Sequence, residues 1–159
     1  MPVSGDQARR MACDYFASAF GVSRTWLESL HFSAVRDEEI WITDQPVPER
    51  LIGARAPGLR ALRIQPHALK PTSVFLACLG DRIQDGRIDV DRDTLQQLAR
   101  GQAIPHEGEN RFVVLSFAGD IIGCGEVRRG QLRAMIPTGR RRELLEALAG
   151  LASADLTNL

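Results

Sequence analysis

Six arginines and one acid fall within RRGQLRAMIPTGRRREL, the stretch from Arg128 to Leu144. The chain as a whole is neutral, with 20 basic and 20 acidic residues, so this window concentrates positive charge that the rest lacks. Lys70 is the only lysine. A guanidinium is a planar fork that pairs with phosphate oxygens and stacks on bases, so clustered arginine points to an anionic partner. Arg140, Arg141 and Arg142 open a predicted helix. The macrodipole disfavours cations there by about 0.3–1 kcal/mol each. The backbone N–H groups of the same helix end are donors suited to phosphate. The plain alternative is a solvated helix start.

Arg128 and Arg129 lie in the tight turn RRGQ, and Arg133 alternates with apolar neighbours on the next predicted strand. They read either as part of the same basic face or as an edge strand protected by charge. Arg100 and Gly101 close a predicted helix, where a cation and a left-handed glycine are expected on structural grounds alone. Gln102 follows as a polar neighbour.

Other chemistry finds little support. Cys13, Cys78 and Cys124 are scattered and read as small buried fillers, and His31, His67 and His106 do not cluster, so neither a metal nor another cofactor is expected. GCGEV (Gly123 to Val127) contains G-x-G but no helix follows it. A bulge or tight crossing accounts for it better than a nucleotide loop. The acids of RDEE and DGRIDVDRD read as wet turns and a helix cap. No nucleophile, cofactor loop or acid–base pair emerges, and the expectation is that the chain is not an enzyme.

The elements that must position the arginines follow from periodicity. SGDQARRMACDYFASAFG predicts a helix with a Ser4–Gln7 capping box, an apolar stripe through Ala12 and Phe16, and Gly21 at its left-handed end. Ser23 caps a second short helix, with Trp26, Leu27 and Leu30 facing inward. HFSAV and IWIT form a hairpin, DQPVPERLIGARAPG is loop-like, and LRALRI is a strand. QPHALKPT reads as a break.

Beyond the break, SVFLACLG reads as a buried strand and Asp85-Gly86 as a hairpin turn. Asp91 caps a helix ending at Gly101. RFVVLSF, IIGCGEV and LRAMIP are three strands joined by tight turns, and GRRRELLEALAGL is a final helix with Leu144, Leu145, Leu148 and Leu151 on one side. The expected fold class is α+β. An N-terminal α/β subdomain (1–68) precedes a small, partly closed mixed β-barrel with short helices (69–159).

KPTSVFLACLG followed by GRIDVDRDTLQQLARGQAI resembles the opening of a PUA domain, an RNA-binding module. RFVVLSFAGDIIGCGEVRRGQLRAMIP resembles its closing strands, with the glycine turn at Gly119, Ile122, Gly123 and Gly125. DYFASAFGVSRTWLESLHFSAVRDEEIWITD is similar to the pre-PUA segment of small ribosome-biogenesis factors. It is also similar to the segment before the PUA-like tail of RsmF-type RNA cytosine-5 methyltransferases. The resemblance runs from about Asp14 to about Leu148. No S-adenosylmethionine-binding strand-loop-helix and no Pro-Cys nucleophile step accompany it.

The resemblance implies a groove beside the helix that ends at Arg100-Gly101-Gln102, where glycine lets an RNA backbone approach. Lys70, just before the first expected barrel strand, and Arg82, just after it, become further candidates. The implied function is non-catalytic recognition of structured rRNA or tRNA in RNA modification or ribosome biogenesis. A separately encoded RNA methyltransferase or ribosome-assembly factor is the implied protein partner. A protein–protein adaptor that does not bind RNA is the alternative. No apolar run approaches the ~20 residues that span a bilayer, and MPVSGDQARR lacks an apolar signal core, so a cytoplasmic protein without membrane contact is expected.

Overall fold

The computed structural model describes residues 2–46 and 58–157, with side chains described as far as Leu151. Most of the expected loop DQPVPERLIGARAPG lies outside the described residues. The fold is α+β with two sheets. By internal contacts the chain forms two compact units, Met1–Arg87 and Ile88–Leu159.

In the first unit, α1 (Gly5–Phe20) starts as its sequence dictates. The Ser4 side chain accepts from Gln7 N–H and the Gln7 side chain accepts from Ser4 N–H, while Gly21 ends the helix at φ +64°. Ala8, Ala12, Cys13, Phe16 and Phe20 form its buried stripe. The short α2 (Arg24–Glu28) is capped by Ser23. Strands β1 (His31–Val35), β2 (Glu39–Thr43), β3 (Leu59–Gln65) and β4 (Ala68–Pro71) pair antiparallel in that order.

Two expectations are corrected here. QPHALKPT is no break: Gln65 pairs with Ala68 across a two-residue turn, and residues 68–71 form β4. SVFLACL is no strand but the helix α3 (Ser73–Leu79). Thr72 decides it, because its hydroxyl accepts from Phe75 N–H at 3.2 Å and donates to Arg60 C=O at 2.6 Å. Phe75, Leu76 and Leu79 face inward at helical spacing, with the Phe16 and Phe75 ring centroids 4.9 Å apart, whereas Cys78, expected as a buried filler, falls on the outward side of the helix and is exposed. The pairing of β4 with β3 ties this segment to the first unit, whose end by contacts comes later than the 68/69 boundary read from the sequence.

The second unit is built on β5 (Arg87–Asp89), β6 (Ile104–Pro105), β7 (Arg111–Phe117), β8 (Asp120–Arg128) and β9 (Gln131–Ala134), in the sheet order β5-β7-β8-β9-β6. Helices α4 (Arg92–Ala99) and α5 (Thr138–Thr157) complete it. Asp85-Gly86 is not a hairpin turn: Gly86 has φ +74°, but β5 pairs with β7 rather than with the chain before it. Leu95, Leu98, Leu115, Leu132, Leu144 and Leu148 share one core, and truncating any of the first four to alanine is worth about 2–5 kcal/mol. Leu151, expected on the same buried side of α5, is 54% exposed.

Gly125, the second glycine of the pair in β8, has a packing cause. A Cβ at Gly125 would stand 3.0 Å from Leu115 Cδ2 and 3.1 Å from Val113 Cγ2, so glycine lets these side chains close over the strand without shifting. Opposite Leu115 and Ser116 the register slips by one residue, between Gly123 and Ile121. This is the bulge expected for a G-x-G inside a strand.

Candidate nucleic-acid interface

The second unit brings the end of α4 against the start of α5. Gly101 follows α4 at φ +84°, and a Cβ built there would lie 2.9 Å from Arg141 Nη1. The guanidinium therefore occupies space that a side chain at 101 would need. Arg141 is half-buried, and its Nη2 donates to Thr138 Oγ1 at 3.3 Å. Its Nε is buried without a hydrogen-bond partner. An unsatisfied buried donor on a cation is costly, and Arg60 Nε in the first unit is in the same condition. A further tie, Arg92 Nη2 to Leu148 C=O at 2.6 Å, fixes α4 to α5 across 56 positions of sequence.

The neighbours of Arg141 differ in how they are engaged. Arg140 is exposed and pairs with Glu143 at 3.0 Å. Arg142, Arg100 and Gln102 are exposed. The first turn of α5 contains no acid, and Glu143, just beyond it, pairs with Arg140 alone of the three arginines among the described contacts.

The β8–β9 hairpin turns through Arg129 and Gly130, with φ of +52° and +74°. Such a two-residue turn favours asparagine or glycine at its first position, and the left-handed conformation there costs arginine about 1–2 kcal/mol. Arg129 N–H donates to Asn110 Oδ1 at 2.9 Å, and Gly130 C=O accepts from His106 N–H at 2.9 Å. Arg128 stands opposite Gln131, and Arg133 opposite Glu126. Leu132, between Gln131 and Arg133, points into the core under α4 and α5. By strand alternation, Arg133 and Arg128 project from the other face of the sheet. The arginines that the sequence placed together thus divide between a helix corner (Arg100, Gly101, Gln102, Arg140–Arg142) and the hairpin with the sheet face turned away from α4 and α5 (Arg128, Arg129, Arg133).

Lys70 and Arg82 belong to the first unit. Lys70 sits in β4 opposite Arg63. Arg82 closes a 3₁₀ turn after α3, and its guanidinium lies over the Trp26 ring, 4.0 Å from the centroid. Trp26 is half-buried rather than a core residue, and Arg82 covers it. Sequence reasoning missed Asn110 and Thr138, whose polar side chains hold two of the arginines. It had weak signals for both, since each lies next to a turn or helix start where such residues serve as acceptors.

No family model matches the chain. Over 149 residues it is 24% identical to the ribosomal RNA small subunit methyltransferase F of Psychromonas ingrahamii. That alignment takes in 87% of this chain but only 29% of the relative. The chain therefore spans less than a third of the length of the curated relative it matches. The match is to the kind of enzyme whose tail the sequence resembles. Among solved structures, the hypothetical protein PH0734.1 of Pyrococcus horikoshii OT3 superposes with a TM-score of 0.46 at 14% identity, over 90% of this chain and 86% of that one. Among the described residues no group of histidine, cysteine and acidic side chains is placed to hold a metal ion. No helix among them is long and apolar enough to cross a membrane.

Proposed function

We propose that the chain is a non-catalytic RNA-binding protein of pre-PUA plus PUA-like architecture that recognises structured RNA, rRNA or tRNA, in RNA modification or ribosome biogenesis. The carrying observation is the corner where Gly101, without a side chain, gives room to the half-buried Arg141 guanidinium. Arg100, Arg140 and Arg142 surround it with exposed positive charge in a chain of zero net charge. Guanidinium groups and free N–H donors at a helix start suit phosphate, and folded RNA is recognised mainly through phosphate and 2′-OH groups. Similarity to a ribosomal RNA methyltransferase over most of this chain supports an RNA-related role. A methyltransferase or assembly factor is the matching protein partner.

Titrating a labelled RNA stem-loop with the wild type and with Arg140→Ala/Arg141→Ala/Arg142→Ala tests this reading. Each phosphate contact contributes about −0.7 to −0.9 to the slope of log affinity against log salt, so the variant's slope is expected to be shallower by about 2. Wild-type binding too weak to detect at low salt overturns it. The adaptor reading has one observation in its favour: α3 turns Val74, 50% exposed, outward with Ala77 and Cys78. It predicts that Val74→Glu abolishes capture of a protein partner while the arginine variant leaves it unchanged.

A further inference from the structure

Two hairpins in the five-stranded sheet turn through the same backbone conformation. In the β7–β8 hairpin the turn residues are Ala118 and Gly119, at φ +50° and +87°. In the β8–β9 hairpin they are Arg129 and Gly130, at +52° and +74°. The strain is the same, so it does not by itself distinguish them. What differs is the support. Asn110 and His106, from the chain between β6 and β7, bind the N–H of Arg129 and the C=O of Gly130. No hydrogen bond to Ala118 or Gly119 from outside their hairpin occurs among the described residues. The chain therefore clamps the turn that carries two adjacent arginines, while the uncharged one stands without such a clamp.

From this contrast we infer that Asn110 is a positioning residue, and that it presents Arg128 and Arg129 as a second phosphate-contacting point for RNA, separate from the α4–α5 corner. The inference rests on the RNA-binding reading and adds to it where the second contact lies and what aims it. Position 129, like position 118, would be eased by asparagine or glycine. Arginine there gives up turn stability, and the carboxamide of Asn110 restores the backbone geometry from outside. Arg128 at the last position of β8 and Arg129 in the turn place two exposed arginines side by side at one end of the sheet. Gly130 completes the turn without a side chain to obstruct an approaching backbone.

The test is a double-mutant cycle on the full chain, with a labelled RNA stem-loop as probe and thermal unfolding measured on every variant. Arg129→Gly keeps the turn, removes the strain and removes the charge. It is expected to melt no lower than the wild type, to bind RNA about 3–10-fold more weakly, and to reduce the salt slope by about one contact. Asn110→Ala is expected to weaken binding by a similar factor in the wild-type background and by a clearly smaller factor in the Arg129→Gly background, where only Arg128 is left for it to position. A merely structural Asn110 would lower affinity by the same factor in both backgrounds, and that result overturns the proposal. So does an Arg129→Gly variant that binds like the wild type. These outcomes leave the Arg140–Arg142 titration intact, whereas a wild type that fails to bind the stem-loop sinks both readings together.

Discussion

Gly101 and Arg141 are complementary: the first lacks the atom that the second would strike, with only 2.9 Å between an added Cβ and Nη1. Residues forty positions apart in sequence thus share one volume where α4 ends and α5 begins. Gly101→Ala should lose about 1–2 kcal/mol of stability from the left-handed backbone alone. It should also swing the Arg141 guanidinium away from the corner and weaken RNA binding. Combining it with Arg141→Ala separates the two effects, because the stability loss persists while the binding loss does not add. Urea unfolding and RNA titration of the four proteins check this.

Glu143 holds Arg140 at 3.0 Å on the exposed side of α5. A surface pair of this kind contributes little to stability, about 0–1 kcal/mol. Glu143→Gln should therefore leave the melting behaviour nearly unchanged, raise RNA affinity about two- to five-fold, and steepen its salt dependence. Unaltered affinity would show that Arg140 does not reach the RNA.

Gly125 offers a test of the G-x-G segment. Gly125→Ala places a methyl group against Leu115 and Val113 inside the core and should cost about 1–3 kcal/mol through overpacking. RNA affinity should be unaffected at temperatures where the variant is folded. Nucleotide binding by the wild type, lost in the variant, would favour a cofactor loop instead.

In the first unit, Glu39 accepts from Trp41 Nε1 at 2.9 Å and pairs with Arg60 Nη1 at 2.8 Å. Burial works to raise its pKa, but the hydrogen bonds from Trp41 and Arg60 and the nearby positive charges outweigh it, and the net shift is downward. Because the folded value lies below the unfolded one, the stabilisation is complete above the ordinary glutamate range. It is lost as pH falls through the folded value. Glu39→Gln should be less stable than wild type near neutrality and converge with it in acid. A stability difference that stays constant from neutral to acidic pH would contradict this linkage.

Arg82 over Trp26 predicts a smaller effect. Arg82→Ala should lower stability by about 0.5–1 kcal/mol and alter tryptophan fluorescence, as an exposed cation–π contact requires.

Caps and amphipathic stripes were legible from residues alone. Ser4 with Gln7, Ser23, Asp91 and Gly101 all occupy the positions their chemistry predicts. SVFLACL was not, because a continuous apolar run carries no period with which to tell helix from strand. The deciding signal was Thr72, a helix-capping residue just after a proline and eight positions before Gly80. QPHALKPT misled in the opposite sense, since Pro66 and His67 make the turn of a hairpin instead of ending regular structure. For the site, charge clustering located the arginines but not their faces. Whether Arg133 shares a surface with Arg141 depends on sheet order and on the phase of one strand relative to its covering helices, and a local window contains neither.

The sheet order places β6 beyond β9, so that the second unit closes through pairs distant in the chain, such as Ile104 with Leu132 and Arg92 with Leu148. Closing long loops is entropically slow, whereas the β7–β8 hairpin needs only its own short turn. Contact order predicts that the corner of Gly101 and Arg141 forms late in folding. A chain that forms its hairpins first completes this corner only when the C-terminal helix docks.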